Sequence, residues 1–328
     1  MEPAGPSAAG MRLREGLSRL DLPTRLPIGT VNVYVFTDEP VTMIDTGPNC
    51  PECFDGLRTQ LKGFGLAPSD VETVILTHGH VDHHGLAETI RKESGADVLV
   101  PEADRAMVER YRETFAERKA RFESEAIRAG APQATVDLVM GFFDYLVTMG
   151  EPVRIAGAIR EGDTIPAGNT VLKAVHTPGH SSGSTCYLSA EGELFAGDTL
   201  LKDMTPNAAF GAADERSVGL TDHVASLRRV RTLNPKVVHP GHRTSLEDVG
   251  AYVRFSLDQY RTRQEAILQL LQVGAATPFE LVDRLFGSLP IEEIFLGLAE
   301  VLGHIEVLAL EGVVQADRTD DVTVVRLK

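Results

Sequence analysis

The chain has 328 residues, 43% of them hydrophobic and 24% charged, an ordinary globular composition with length for more than one domain. Its 32 basic residues face 47 acidic ones, a formal net charge of −15, which disfavours nonspecific attraction to nucleic acid or to anionic membranes. No stretch approaches the roughly eighteen apolar residues of a membrane span and the N-terminus lacks the apolar core of a signal peptide, so the cytoplasm is the expected location.

In chain order, residues 1–10 read as a small-residue, disordered tail. Residues 31–36 and 41–44 read as a strand pair joined by the turn Thr37-Asp38-Glu39-Pro40. Cys50-Pro51-Glu52-Cys53 is a Cys-x-x-Cys with no second pair to complete a zinc knuckle. With Cys186 the only other cysteine, no disulfide framework is expected, and a redox dithiol is a minor reading. Helices are predicted over 55–64 and 86–92, separated by the apolar strand 71–76.

That strand feeds Thr77-His78-Gly79-His80-Val81-Asp82-His83-His84, so several donor side chains emerge at one strand end. His78 and His80 are two apart and project to one side of extended backbone, where they can share an ion. Asp82 and His83 lie past the bend and can reach a second. From residue 102 to about 150 the pattern turns helical, with Met107, Tyr111, Phe115 and Phe122 at near-helical spacing and a second amphipathic run over 136–146. This insertion reads either as a packing or dimerisation hairpin or as a cap over the site. Its interleaved Arg110, Glu113, Glu117, Arg118, Lys119 and Arg121 read as a solvated face of i,i+4 pairs.

Three further donors follow short β-rich runs at glycine turns: His180 in Thr177-Pro178-Gly179-His180, Asp198 in Ala196-Gly197-Asp198, and His242 in His239-Pro240-Gly241-His242. A lone histidine is more often structural than a ligand, and Gly-Asp is common turn chemistry. Seven donors on four strand-end loops are a different matter, and they point to two adjacent metal ions. His84, His176, His223, His239 and His304 are left as structural residues.

Past His242, helices are predicted over 256–273 and 291–311, with Thr277-Pro278 as a helix start and a hairpin over 313–327. That order suggests a winged-helix-like module. Residues 260–328 carry six Lys or Arg against eleven Asp or Glu, 6 − 11 = −5, so the module is read as packing and not as a nucleic-acid reader.

His-x-His-x-Asp-His, followed by Pro-Gly-His, Gly-Asp and a final Gly-His, resembles the signature of the metallo-β-lactamase-fold superfamily over about 230 residues, a single-domain length. The tail resembles that of the branch containing lactamase-like hydrolases and endoribonucleases. The resemblance implies an α/β class fold: an αββα sandwich over 11–255 with a helical insertion at about 102–150, then a winged-helix-like domain over 256–328. It implies His78, His80 and His180 on a first metal, Asp82, His83 and His242 on a second, and Asp198 bridging them. Asp82 is also the candidate catalytic carboxylate, and Asp45 the scaffold aspartate. Gly85-Leu86 replaces a frequent Gly-Gly, a packing change. His80 stands where di-iron relatives carry Glu, so zinc is the expected metal, with manganese or iron as alternatives.

Two such ions clamp a shared water and generate hydroxide near neutral pH, which implies hydrolysis of an ester-like bond. A small-molecule thioester of acyl-glutathione or acyl-CoA type, or a lactone, is the leading substrate, because a thiolate leaves without a strong general acid. A metal-dependent phosphodiesterase or single-strand endoribonuclease is the alternative. Tyr111, Arg112, Phe142, Phe143 and Tyr145 of the insertion are the candidate substrate contacts. No membrane partner is expected, and a homodimer is a possible assembly.

Overall fold

The structure is a computed structural model and describes residues 10–208, 219–319 and 321–328. All but the last residue of the expected disordered tail lies outside them. A first sheet opens with antiparallel β1 (Met11–Arg14), β2 (Leu17–Leu26), β3 (Gly29–Phe36) and β4 (Thr42–Ile44). After helix α1 (Pro51–Lys62) it continues in parallel β5 (Thr73–Ile75). Short α2 (Val81–His84) and α3 (Ala87–Ser94) then lead to β6 (Asp97–Pro101). Helices α4 (Arg105–Glu109), α5 (Tyr111–Arg128) and α6 (Gln133–Leu146) form the insertion before β7 (Gly157–Ile159) closes the seven-stranded sheet.

The second sheet has five strands in the order β12-β11-β10-β9-β8: β8 (Thr164–Ala167), β9 (Thr170–His176), β10 (Thr185–Ser189), β11 (Glu193–Gly197) and, after α7 (Leu220–Leu233), β12 (Val237–Pro240). Side-chain alternation makes the sandwich. In β3, Val31, Val33 and Val35 pack towards α1 and α3, whereas Tyr34 and Phe36 face Tyr187 and Phe195 of the second sheet. The core strands β4 and β5 are too buried to alternate, as expected of parallel pairs covered on both faces.

The C-terminal region comprises α8 (Val249–Val273), α9 (Pro278–Phe286), α10 (Ile291–Leu310) and the hairpin β13 (Val314–Thr319) with β14 (Val322–Leu327). Helix α9 starts with Thr277 in a full capping box with Glu280 and Pro278 in the first turn, as the sequence indicates. The expected boundary at 255/256 falls inside the 25-residue α8. The first half of α8 packs Tyr252 and Val253 on the second sheet, and its second half sends Ile267 and Leu271 into a core shared with α5, α6, α9 and α10. Helix and hairpin thus sit on the insertion, and one helix ties both layers together.

Cys50 and Cys53 are joined by a disulfide across the first turn of α1, where the Cys50 cap brings their Cα atoms to 5.1 Å; Cys186 is buried and free.

Candidate metal centre

The sandwich delivers its strand ends to one edge, and all seven donors predicted from the motifs meet there. His78 and His80 follow β5, Asp82 and His83 lie on α2, His180 sits in the β9–β10 loop, Asp198 follows β11 and His242 follows β12. Three overlapping groups form: His78, His80 and His180; His78, His83 and Asp198; Asp82, His83 and His242. Within each group the donor atoms lie within 4.8 Å of one another. Asp198 stands between the outer two groups, with Oδ1 3.5 Å from His83 Nε2 and Oδ2 3.5 Å from His180 Nε2 and 3.6 Å from His242 Nε2.

Four of the five imidazoles are aimed from behind. The Nδ1 of His83 donates to Asp45 Oδ2 at 2.8 Å, that of His180 to the Asn207 carbonyl at 2.9 Å, and that of His242 to the Thr30 carbonyl at 2.7 Å. Thr77 Oγ1 donates to Asp45 Oδ2 and so accepts from His78 Nδ1 at 3.0 Å. Fixing the outer nitrogen as a donor leaves the inner Nε2 lone pair free for a Lewis acid. His80 is the reverse case, turning Nδ1 inwards to 3.0 Å from His78 Nε2.

Electrostatics fit a cation. Burial favours neutral rings at His78 and His80, and neighbouring histidines push the same way, so both resist protonation. At His83 and His242 burial is outweighed by the surrounding carboxylates, chiefly Asp198, and proton affinity rises. Burial opposes ionisation of Asp82 and Asp198, yet the adjacent histidines hold both carboxyl groups well below their usual range. The centre therefore calls for positive charge between its carboxylates. His83 Nε2, His180 Nε2 and Asp198 Oδ1 are buried without a hydrogen-bond partner, a costly state that metal coordination would relieve. The residues fit divalent ions.

Sequence reasoning missed Asp104. It lies at the start of the insertion, fully buried, and its Oδ2 accepts from Gly79 N–H at 2.8 Å and Ser181 Oγ at 2.7 Å, while Oδ1 accepts from Gly183 N–H at 2.7 Å. One carboxylate thereby pins the loop of His78 and His80 to the loop of His180. No local motif marks it, because its partners are 25, 77 and 79 residues away. The leftover histidines are structural: His84 Nδ1 donates to the His80 carbonyl and His223 Nε2 to the Thr199 carbonyl, with burial pushing both down to about 4.

The candidate substrate contacts separate. Tyr111 is wholly buried, its ring against His84 and Phe115 and its hydroxyl donating to the Leu146 carbonyl, which makes it a packing residue in place of the expected contact. Phe143 likewise packs among Phe122, Phe115 and Phe295. Phe142 is half-buried beside Phe295 and Tyr145, and Tyr145 is exposed. Arg112 is exposed.

The chain belongs to the metallo-beta-lactamase superfamily, whose profile matches residues 26–242. Membership and the His/Asp cluster together define an enzyme of the metal-dependent hydrolase class. Among individual proteins, it is 30% identical over 304 residues to the probable metallo-hydrolase YqjP of Bacillus subtilis, covering 90% of this chain and 93% of that one. It is 32% identical over 148 residues to an atrochrysone carboxyl ACP thioesterase of Aspergillus fumigatus, covering 41% and 44%. The solved metallo-beta-lactamase family protein TTHA1429 from Thermus thermophilus superposes with a TM-score of 0.84 at 29% identity, covering 97% of this chain and all of that one. A beta-lactamase domain protein from Burkholderia ambifaria gives 0.85 at 21% identity over 100% and 96% of the two chains, a likeness of fold. No helix among the described residues is long and apolar enough to cross a membrane.

Proposed function

We propose that the protein is a binuclear hydrolase of small carbonyl esters, with a thioester of acyl-glutathione or acyl-CoA type, or a lactone, as substrate. The observation that carries this reading is the pair of donor sets on either side of Asp198. His78, His80 and His180 would hold one ion, Asp82, His83 and His242 the other, and Asp198 would contact both. Zinc suits imidazole with carboxylate, with manganese or iron as alternatives. When bound, the ions would supply an activated water and polarise the scissile carbonyl.

The chain's own groups account for the rest. Asp45 and the carbonyls of Thr30 and Asn207 keep three imidazoles in the tautomer that leaves Nε2 free. His80, Asp82 and His180 are the partly exposed donors, which gives the substrate an open face, while His78, His83 and His242 form the buried floor. A thiolate departs without a strong proton donor, so these donors suffice for a thioester. The similarity to a protein named as a thioesterase supports that choice over an amide. Nucleic acid is disfavoured as a partner, since α10 carries four glutamates and neither Lys nor Arg.

The test is a parallel activity screen of zinc- and manganese-loaded protein on thioesters, lactones and single-stranded RNA, with metal analysis. Two ions per active chain and thioester or lactone turnover are expected. One ion per active chain would contradict the binuclear site, and turnover of RNA alone would replace the ester by a phosphodiester.

A further inference from the structure

The last donor hangs from one sheet and is held by the other. His242 follows β12, the edge strand of the second sheet, so no further strand of that sheet flanks its turn. Strand β3 of the first sheet fixes the turn instead. Asn32 does most of this: its backbone N–H donates to the Gly241 carbonyl at 2.6 Å, and its Nδ2 donates to the carbonyls of Pro240 and Arg243, both at 2.8 Å. The Tyr34 hydroxyl adds a bond to the Pro240 carbonyl at 2.7 Å, and Val31 forms a bridge with His242 itself.

An asparagine is out of place inside the apolar strand Val31-Asn32-Val33-Tyr34-Val35-Phe36, where β-branched and aromatic residues pack better. Burying its amide is costly unless both hydrogens find acceptors. Here both do, on carbonyls that flank His242 in the chain. Arg243 has a φ of +65°, a left-handed conformation that a residue with a side chain adopts at a cost and keeps only where its surroundings enforce it. Its carbonyl is one of the two that Asn32 grips. There is little slack in the turn, because a Cβ on Gly241 would come within 2.5 Å of Asp198 Oδ1 and 2.7 Å of His83 Cε1.

We propose that Asn32 is a positioning residue for the second donor set: its side-chain amide holds the backbone on both sides of His242, so that the imidazole enters beside Asp82 and His83. The proposal rests on the binuclear reading above and assigns Asn32 to one of its two ions. Asp104 joins the loops of the first set, and Asn32 does the corresponding work for the second.

The test reads each ion separately. The zinc-loaded full chain is equilibrated with graded chelator, and the two affinities are assigned with His80→Ala and Asp82→Ala, whose side chains serve the first and the second set alone. Asn32→Leu keeps a buried side chain of similar size without a donor. It should weaken the second-set ion about 10- to 100-fold, the usual effect of losing an outer hydrogen-bonding partner, and leave the first-set ion unchanged. Asn32→Ser, a smaller change that keeps a hydroxyl, should show the same selectivity to a lesser degree and carries the test if the leucine variant does not fold. Adding Arg243→Gly to Asn32→Leu should restore about tenfold of the loss, since glycine adopts the left-handed conformation freely. Alone, Arg243→Gly should change nothing, because Asn32 already keeps the turn in its binding-competent state. Equal weakening of both ions, weakening of the first-set ion alone or of neither, or an equal gain from Arg243→Gly with and without Asn32 would overturn the proposal. A wild-type chain that holds a single zinc ion would sink the binuclear reading and the proposal with it. Two ions in the wild type, with no selectivity in the variants, would sink this inference alone.

Discussion

The metal centre and the aromatic layer between insertion and C-terminal helices are both assembled from distant segments, but by different means. In the centre, four imidazoles are each fixed by a hydrogen bond to a backbone carbonyl, to Asp45 or to Thr77, so direction is specified atom by atom. In the aromatic layer, Phe122, Phe143 and Phe295 meet at centroid separations of 5.3 to 6.3 Å, with Phe115 and Phe142 at its margins, and nothing but shape selects them. A donor site tolerates few residue types at each position. A packed layer tolerates many, provided volume is conserved.

The largest test of that contrast is removal of a donor. His83→Ala deletes a ligand of the second set and leaves Asp45, Asp82 and Asp198 without their shared imidazole. Loss of several kcal/mol of transition-state stabilisation should lower kcat/KM about a thousandfold or more, with one ion lost per chain. Metal analysis beside circular dichroism checks it: full activity with one ion fewer would show that the second set is dispensable.

Acid distinguishes the regions next. His304 on α10 is buried and held neutral, with burial, aided by the charge of Arg263, pushing it down to about 4 from 6.5. Between these values the unfolded chain takes up a proton and the folded chain does not. Stability is therefore complete above 6.5 and falls as pH drops towards 4, by about 3 kcal/mol for a shift of this size. His304→Gln should lose correspondingly less between pH 7 and pH 4.5 in urea unfolding of the metal-loaded protein. Parallel losses in the two proteins would mean that His304 plays no part in acid sensitivity.

Legibility follows the same division. All seven donors could be named from the sequence because imidazole and carboxylate at strand-end glycine turns have few other uses. The helix start at Thr277-Pro278 was readable because capping chemistry is local. Asp104 was not, since its three hydrogen bonds close only when loops of His78 and His180 are folded together. Tyr111, Phe142 and Phe143 share one helical hairpin and one chemical character. What each one faces is decided by tertiary neighbours: Phe295 of the C-terminal helix packs against Phe142 and Phe143, and His84 and Phe115 against Tyr111.

Asp104 supplies a third and smaller effect. Asp104→Asn keeps the volume but exchanges one acceptor for a donor where three donors converge, so the two loops of the first donor set lose their common anchor. Loss of an outer hydrogen-bonding partner typically weakens metal affinity about 10- to 100-fold. Competition with a chelator should find that loss in the ion of His78, His80 and His180, with less effect on the other. Equal weakening of both ions would place Asp104's role in general stability.

The smallest effect concerns the outer margin of the insertion. Phe142 and Tyr145 remain at the margin of the aromatic layer, one half-buried and the other exposed, whereas Tyr111 is enclosed. Truncating Phe142 to Ala should leave metal content unchanged and alter relative kcat/KM among thioesters of different acyl length by about tenfold or less, the scale of a methylene or two in an apolar pocket. Truncating Tyr111 should lower stability without changing that ranking, because its ring is enclosed by His84 and Phe115. If instead Tyr111→Ala reordered the substrates and Phe142→Ala did not, the enclosed ring would have to open to the cleft during turnover, and the division between aimed donors and passive packing would fail at the residue where the two regions touch.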